Sequence, residues 1–251
     1  MTAWAYLDHA GPLPIAHRGG AGEAPENTIR AFERAWDLGY RYLETDAQVT
    51  KDGKLIAFHD DKVDRVTNGQ GVVSGLSWND IQRLRVEGEP IPLLGEIIAT
   101  FPDARFHIDV KTKAAIAPLL SLLTQAKAVD KVCIGGFSER LLQQVRVAFE
   151  GKVCSNLGRL SLFRVRLASW KFPARHPQGG AANIPRRMAG ISLADPRFIR
   201  TAHKKTLPVH VWTINEAEEM RRLLDIGADG IFTDVPSLLK EVLQERNEWG
   251  V

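Results

Sequence analysis

Short apolar runs alternate along the chain with stretches whose apolar residues recur at helical spacing. The apolar runs predict strands at 14–17, 40–49, 105–110, 131–136, 152–155, 189–193, 209–214 and 230–232. Between them the 3.6-residue pattern predicts helices at 28–38, 93–100, 114–126, 139–149, within 160–170, and at 196–205, 216–225 and 237–248. Strands that alternate with helices imply parallel strands joined by right-handed crossovers. Eight such units in 251 residues match an α/β fold of the TIM (β/α)8 type, a single barrel domain spanning 1–251.

One segment breaks the alternation. Residues 59–92 are too long for a simple strand-to-helix loop. They hold Gly-rich turns (Asn68-Gly69, Gly71, Gly75) and the helix-start pattern Ser77-Trp78-Asn79-Asp80. This predicts a small insertion after strand 2, at about 60–92, on the barrel face formed by the C-terminal strand ends.

Composition narrows the class. A hydrophobic share of 44% and a charged share of 25% are ordinary for a soluble globular chain. No run of 18 apolar residues occurs, so no membrane span is expected. The first 14 residues carry Asp8 and His9 and lack a basic region followed by an apolar stretch, so they do not read as a signal peptide. Cys133 and Cys154 sit in apolar strand-like segments and are expected to be reduced core thiols. The expected location is cytoplasmic.

The net charge of +3 hides an asymmetry: residues 151–194 contain eight Lys or Arg and no Asp or Glu. A basic block suggests an anionic partner, expected to be a small molecule and not a nucleic acid. Within this block Leu160, Phe163, Leu167 and Trp170 share one helical side. The commoner arrangement is a core-facing barrel helix with a solvated polar face. The alternative is peripheral contact with an anionic membrane through 159–187.

The chemistry is concentrated in His17-Arg18-Gly19, Glu44-Thr45-Asp46 and His59-Asp60. Residues i and i+2 of a strand point to one face. Glu44 therefore projects with Asp46, and Asp109 with Lys111, towards the barrel mouth, where barrel active sites lie. One carboxylate alone reads as a surface ion pair, but three at strand ends form an oxygen cluster suited to Mg²⁺ or Ca²⁺. Phosphodiester cleavage needs a base and an acid, and His17 and His59 serve either task near neutral pH. Arg18 and Lys111 would offset phosphoryl charge. Trp212 walls the substrate pocket or packs the barrel, since Trp serves both uses. Asn27 reads as the N-cap of the first helix.

Together the motifs Ile15-Ala16-His17-Arg18-Gly19, Pro25-Glu26-Asn27-Thr28, Glu44-Thr45-Asp46, Phe58-His59-Asp60, Asp109-Val110-Lys111, Val211-Trp212-Thr213-Ile214-Asn215 and Asp229-Gly230-Ile231-Phe232-Thr233-Asp234 resemble the glycerophosphodiester phosphodiesterase family, a PLC-like phosphodiesterase barrel. The resemblance runs in order through nearly the whole chain. It implies a barrel with an insertion after strand 2 and His17 with His59 as the acid–base pair. It implies a divalent cation among Glu44, Asp46 and a third acidic residue, with Arg18 and Lys111 near the phosphate. The implied reaction releases sn-glycerol 3-phosphate and an alcohol from a glycerophosphodiester. Many relatives carry Glu where this chain has Asp109, and residues 158–187 match the family poorly. A lysophospholipase D-type enzyme at a membrane surface is the alternative within the same chemistry. A lyase or aldolase barrel using Lys111 as a Schiff-base amine, or a non-catalytic binding barrel, are the readings outside it.

Overall fold

Strand and helix alternate around a barrel in the structure, a computed structural model that describes residues 4–250. The barrel strands are β1 (Leu13–Ala16), β2 (Tyr42–Val49), β3 (Arg105–Val110), β4 (Val132–Gly135), β5 (Cys154–Ser155), β6 (Ala182–Pro185), β7 (Val209–Trp212) and β8 (Gly230–Thr233). They pair in parallel in the order β5-β4-β3-β2-β1-β8-β7-β6. The two edges of this curled sheet meet through one isolated parallel bridge, Asn156 to Ala181. At that seam the Gly180 amide donates to the Ser155 carbonyl at 2.7 Å and the Leu157 amide to the Ala181 carbonyl at 3.0 Å.

The crossovers are α1 (Ile29–Asp37), α2 (Leu94–Thr100), α3 (Ile116–Gln125), α4 (Glu139–Ala148), α5 (Arg159–Ser169), α6 (Pro196–His203), α7 (Ala217–Asp225) and α8 (Pro236–Glu245). Their starts follow local chemistry. The Thr28 hydroxyl accepts from the Ala31 amide at the head of α1, and the Asp195 carboxylate accepts from the Arg197 and Phe198 amides at the head of α6, with Pro196 in its first turn. Between helices and strands lie two fully buried apolar groups, around Phe32, Leu43, Phe106 and Leu119 on one side and around Ile184, Phe198, Val211 and Leu223 on the other. Inside the barrel, Ile15, Tyr42, Cys133, Cys154 and Phe232 are packed beneath Tyr6 and Leu7. Both cysteines are buried and free, as their apolar setting predicts.

The insertion is a built structure. Leu55–Ala57 pairs antiparallel with the end of β2. A short helix, Trp78–Ile81, opens with a Ser77–Asp80 capping box, and Arg85–Val86 pairs with Glu89–Pro90. Phe58, Val63, Val73, Ile81, Val86 and Ile91 give it a small core of its own.

Two expectations are corrected. The sixth strand is Ala182–Pro185, not 189–193; Ile191–Ser192 instead pairs antiparallel with Arg187–Met188 across a turn at Ala189 (φ 49°) and Gly190 (φ 79°). Packing explains the misreading, because a Cβ at Gly180 would come within 2.6 Å of Cys154 Sγ. The seam demands small residues, and small residues make a weak apolar run. The second correction concerns α5. Its buried face is Leu162, Val165 and Arg166, while Leu160, Phe163 and Trp170 are exposed. Arg166 can face inward because its guanidinium is met by the Asp195 carboxylate, the Ser169 hydroxyl and the Ser192 carbonyl. Among the described residues no helix is long and apolar enough to cross a membrane.

Candidate active site

The first strand ends in a tight turn. Arg18 (φ 51°), Gly19 (φ 81°) and Gly20 (φ 100°) all lie in the left-handed region. A Cβ on Gly19 would fall 2.8 Å from the Ala31 Cβ, so glycine is what lets this loop pack onto α1. The turn aims His17 into the barrel mouth. Its Nδ1 lies 2.6 Å from Asp234 Oδ1 and its Nε2 3.8 Å from Glu44 Oε2. Burial alone would lower the His17 pKa, but the carboxylates of Glu44 and Asp234 outweigh it, and the net direction is up. Asp234 is held in turn by Asn215, whose side-chain amide donates to Oδ2 at 2.8 Å and whose carbonyl oxygen accepts from the Asp234 backbone N–H at 2.9 Å.

On β2, Tyr42, Glu44 and Asp46 share the inward face, as strand parity requires, and all three are buried. Glu44 accepts the Arg18 backbone N–H at 2.7 Å. Its pKa is pushed up to about 7 by burial and by the neighbouring Asp46 charge. Asp46 is burdened by burial too, yet Lys111, Arg18 and His59 hold its pKa below the usual carboxylate range. Lys111 Nζ sits 2.7 Å from Asp46 Oδ1 and 2.6 Å from Asp109 Oδ2. Those two carboxylates overcome the effect of burial and raise the Lys111 pKa. An amine held so firmly as ammonium is a poor Schiff-base nucleophile, so the lyase reading loses its basis.

His59 opens the insertion, with Nδ1 2.5 Å from Asp60 Oδ1. The Arg65 side chain donates to Asp60 at 2.5 Å and to Glu26 at 2.7 Å, while Glu26 also receives Arg18 Nη1 at 3.1 Å. Hydrogen bonding from Arg65 lowers the Asp60 pKa to about 2 despite partial burial, so the partner of His59 stays ionised. Asn27 does not cap α1; Thr28, one residue later, does so. Asn27 takes a left-handed conformation (φ 58°) that turns its amide inward, donating to Asp46 Oδ2 at 2.9 Å and accepting from Thr45 Oγ1 at 2.9 Å.

All eight site residues expected from sequence are therefore brought to the barrel mouth. His17, Arg18, Glu44, Asp46, His59, Asp109, Lys111 and Trp212 line one cavity of about 140 Å³. The cavity is also lined by His107, which is buried next to Asn183, the hydrogen-bond partner of His210. Burial lowers the pKa of His107 to about 3 and of His210 to about 4, so both rings are neutral. Opposite the charged residues stands Phe137, its ring 5.7 Å from that of Trp212. Sequence reasoning assigned no role to Asp234, Arg65 or Phe137. The first was visible as an acidic residue closing the last strand, the third as an aromatic after Gly135-Gly136; Arg65 left no signal.

The donor set is all oxygen, and Glu44 is a buried carboxylate beside another with no Lys or Arg side chain hydrogen-bonded to it. Carboxylate oxygens at strand ends are the donor type a hard divalent cation takes, although in this arrangement Lys111 already pairs with Asp46 and Asp109. Lys111 lies between Asp46 and Asp109, and among the described residues no group of three or more His, Cys, Asp or Glu side chains is gathered closely enough to hold an ion.

A model of the glycerophosphoryl diester phosphodiesterase family matches residues 17–238. The chain is 33% identical to a probable glycerophosphodiester phosphodiesterase 2 of Mycobacterium tuberculosis, covering 97% of this chain and 95% of that protein. Its structure is similar to that of a putative glycerophosphoryl diester phosphodiesterase from Silicibacter pomeroyi (TM-score 0.81, 20% identity, 97% and 98% of the two chains). It is also similar to an Oleispira antarctica phosphodiesterase in complex with the product sn-glycerol-3-phosphate (TM-score 0.79, 22% identity, 93% and 97%). With the motifs in order and the barrel in place, this chain belongs to the glycerophosphoryl diester phosphodiesterase family, a family of phosphoric diester hydrolases.

Proposed function

We propose that the chain hydrolyses glycerophosphodiesters to sn-glycerol 3-phosphate and an alcohol, with His17 and His59 as the acid–base pair. The observation that carries this reading is the pairing of two histidines on one cavity, each with Nδ1 held by a carboxylate, Asp234 for one and Asp60 for the other. Such a partner fixes the ring and its tautomer and leaves Nε2 for proton transfer. One imidazole removes a proton from the attacking hydroxyl, either that of water or that of the substrate's glycerol before water opens the cyclic phosphate, as its oxygen bonds to phosphorus. The other gives a proton to the alcohol oxygen as the P–O bond breaks. Arg18 and Lys111 meet the charge on the non-bridging oxygens. Glu44, Asp46 and Asp109 would hold Mg²⁺ or Ca²⁺, which supplies Lewis-acid polarisation of a phosphoryl oxygen when bound.

The test is release of sn-glycerol 3-phosphate from glycerophosphocholine, glycerophosphoethanolamine and glycerophosphoinositol after chelation and after return of Mg²⁺ or Ca²⁺. Turnover should vanish with chelator and return with metal. Glu44→Gln should need at least about tenfold more metal for half-maximal rate. Full turnover in excess chelator would remove the cation from the reading, and no product from any of these esters would remove the reading itself.

A further inference from the structure

Residues 151–215 hold one acidic residue, Asp195. Its carboxylate is already engaged, by the buried Arg166 guanidinium and by the Arg197 and Phe198 amides at the head of α6. Five further cations collect beside that pair without a counter-charge. Lys171, just past α5, and Arg197, Arg200, Lys204 and Lys205, along and just beyond α6, line one cleft of about 760 Å³ with Trp170. No carboxylate lines it, and among the described residues none of the five cations makes an ion pair. Arg197, Arg200 and Lys204 recur at i, i+3 and i+7, so they share one face of α6, where like charges repel. Burial lowers the Arg166 pKa, and the charge of Arg197 adds to that against the pull of Asp195. The cleft beside α1 is built differently: there Arg30 pairs with Glu89 and Arg34 with Glu23. Trp170 gives the α5–α6 cleft a flat side. Its ring is 41% exposed and is steadied by the buried Arg166 guanidinium, 5.1 Å from the ring centre. Clustered cations next to an exposed aromatic ring can meet phosphates and a flat ring at once.

We infer that this cleft is a second anion site, which binds a small molecule bearing a chain of phosphates and a flat ring, as in a nucleoside triphosphate. The phosphates meet the cations of α6 and the ring stacks on Trp170. A single phosphate would leave most of the five charges unmet, and the size of the cleft suits a small molecule. The cleft shares no residue with the catalytic cavity, so the inference stands apart from the phosphodiesterase reading.

The experiment titrates ATP, AMP and inorganic tripolyphosphate into the full chain by calorimetry, in metal-free buffer at low salt. An Arg197→Gln, Arg200→Gln, Lys204→Gln triple variant should bind ATP at least about tenfold more weakly. Trp170→Leu should weaken ATP about fivefold and leave tripolyphosphate within about twofold. A Lys51→Gln, Lys54→Gln, Lys127→Gln control removes the same charge elsewhere and should stay within about twofold for ATP. AMP should bind the parent at least about tenfold more weakly than ATP. Thermal melts verify each fold, and ATP should raise the midpoint of the parent but not of the triple variant. No ATP binding by the parent, an equal loss in the control, or equal affinity for AMP and ATP would overturn the inference. Tripolyphosphate bound as tightly as ATP, with no effect of Trp170→Leu, would overturn the role of the ring. Sedimentation with phosphatidylserine-containing vesicles, lost in the triple variant and unaccompanied by ATP binding, would give the cleft to a membrane surface and overturn the inference as well.

Discussion

The two sides of the barrel mouth are built on opposite principles. On the β1–β2 side most charged groups are tied to another: His17 to Asp234, His59 to Asp60, Arg65 to Asp60 and Glu26, Lys111 to Asp46 and Asp109. On the β4–β7 side the wall is Phe137, Trp212, Leu160 and Phe163, with few polar contacts. Reaction chemistry needs groups held in one orientation, and hydrogen-bonded charges supply that at the cost of burying them. Recognition through apolar contact needs area and shape, which tolerate variation. The contrast is between charge held in fixed pairs on one wall and apolar area left open on the other.

The largest effect expected is on the charged side. His17→Ala and His59→Ala should each lower kcat on glycerophosphocholine by about 10²–10⁴-fold while the circular dichroism spectrum and melting temperature are kept. A near-parental rate in either variant would break the division of labour between the two walls. Asp234→Asn should come next. Its amide no longer holds the His17 ring as a charged acceptor, so kcat should fall about a hundredfold with KM little changed. A rise in KM alone, measured by steady-state kinetics, would move Asp234 to the recognition side.

The smallest effect comes from beneath the cavity, where His210 bonds to Asn183, and it is on stability. His210 is buried and neutral, with a folded pKa of about 4, below its unfolded value of 6.5. As pH falls below 6.5 the unfolded chain takes up a proton that the native ring refuses until about pH 4. The stabilisation is therefore whole above pH 6.5 and drains away in acid. Between pH 7 and pH 5 the loss from this ring should be about 2 kcal/mol, and His210→Gln should shrink the pH 7 to pH 5 difference by that amount in guanidinium unfolding. An undiminished difference would show that the acid sensitivity lies in other groups.

Much of the charged wall was legible in the sequence, and the apolar wall was not. Glu44 with Asp46 and Asp109 with Lys111 could be read because the strand repeat of two leaves no choice of direction once the strand ends are placed. His17 and His59 could be read because each sits where an apolar run stops beside a charged residue. Asn27 was misread because Asn and Thr are both good caps, and the neighbour took the position. Arg65 was out of reach, since its partners Asp60 and Glu26 come together only when the insertion folds back over the mouth. Strand β6 and the true buried face of α5 were hidden for related reasons. Gly179, Gly180, Ala181 and Ala182 are small because the seam is tight, and Arg166 occupies an inward position that an apolarity pattern assigns to solvent.

The seam itself has a consequence for inheritance. Between the two seam positions, Asn156 and Ala181, the chain carries α5, whose exposed Leu160 and Phe163 lie away from the strands that carry His17, Glu44, Asp46 and Lys111. Substitution at those two exposed positions leaves in place the inward face that Leu162, Val165 and Arg166 make. A lineage built on this plan can vary one wall of its barrel mouth while the charged wall is inherited unchanged.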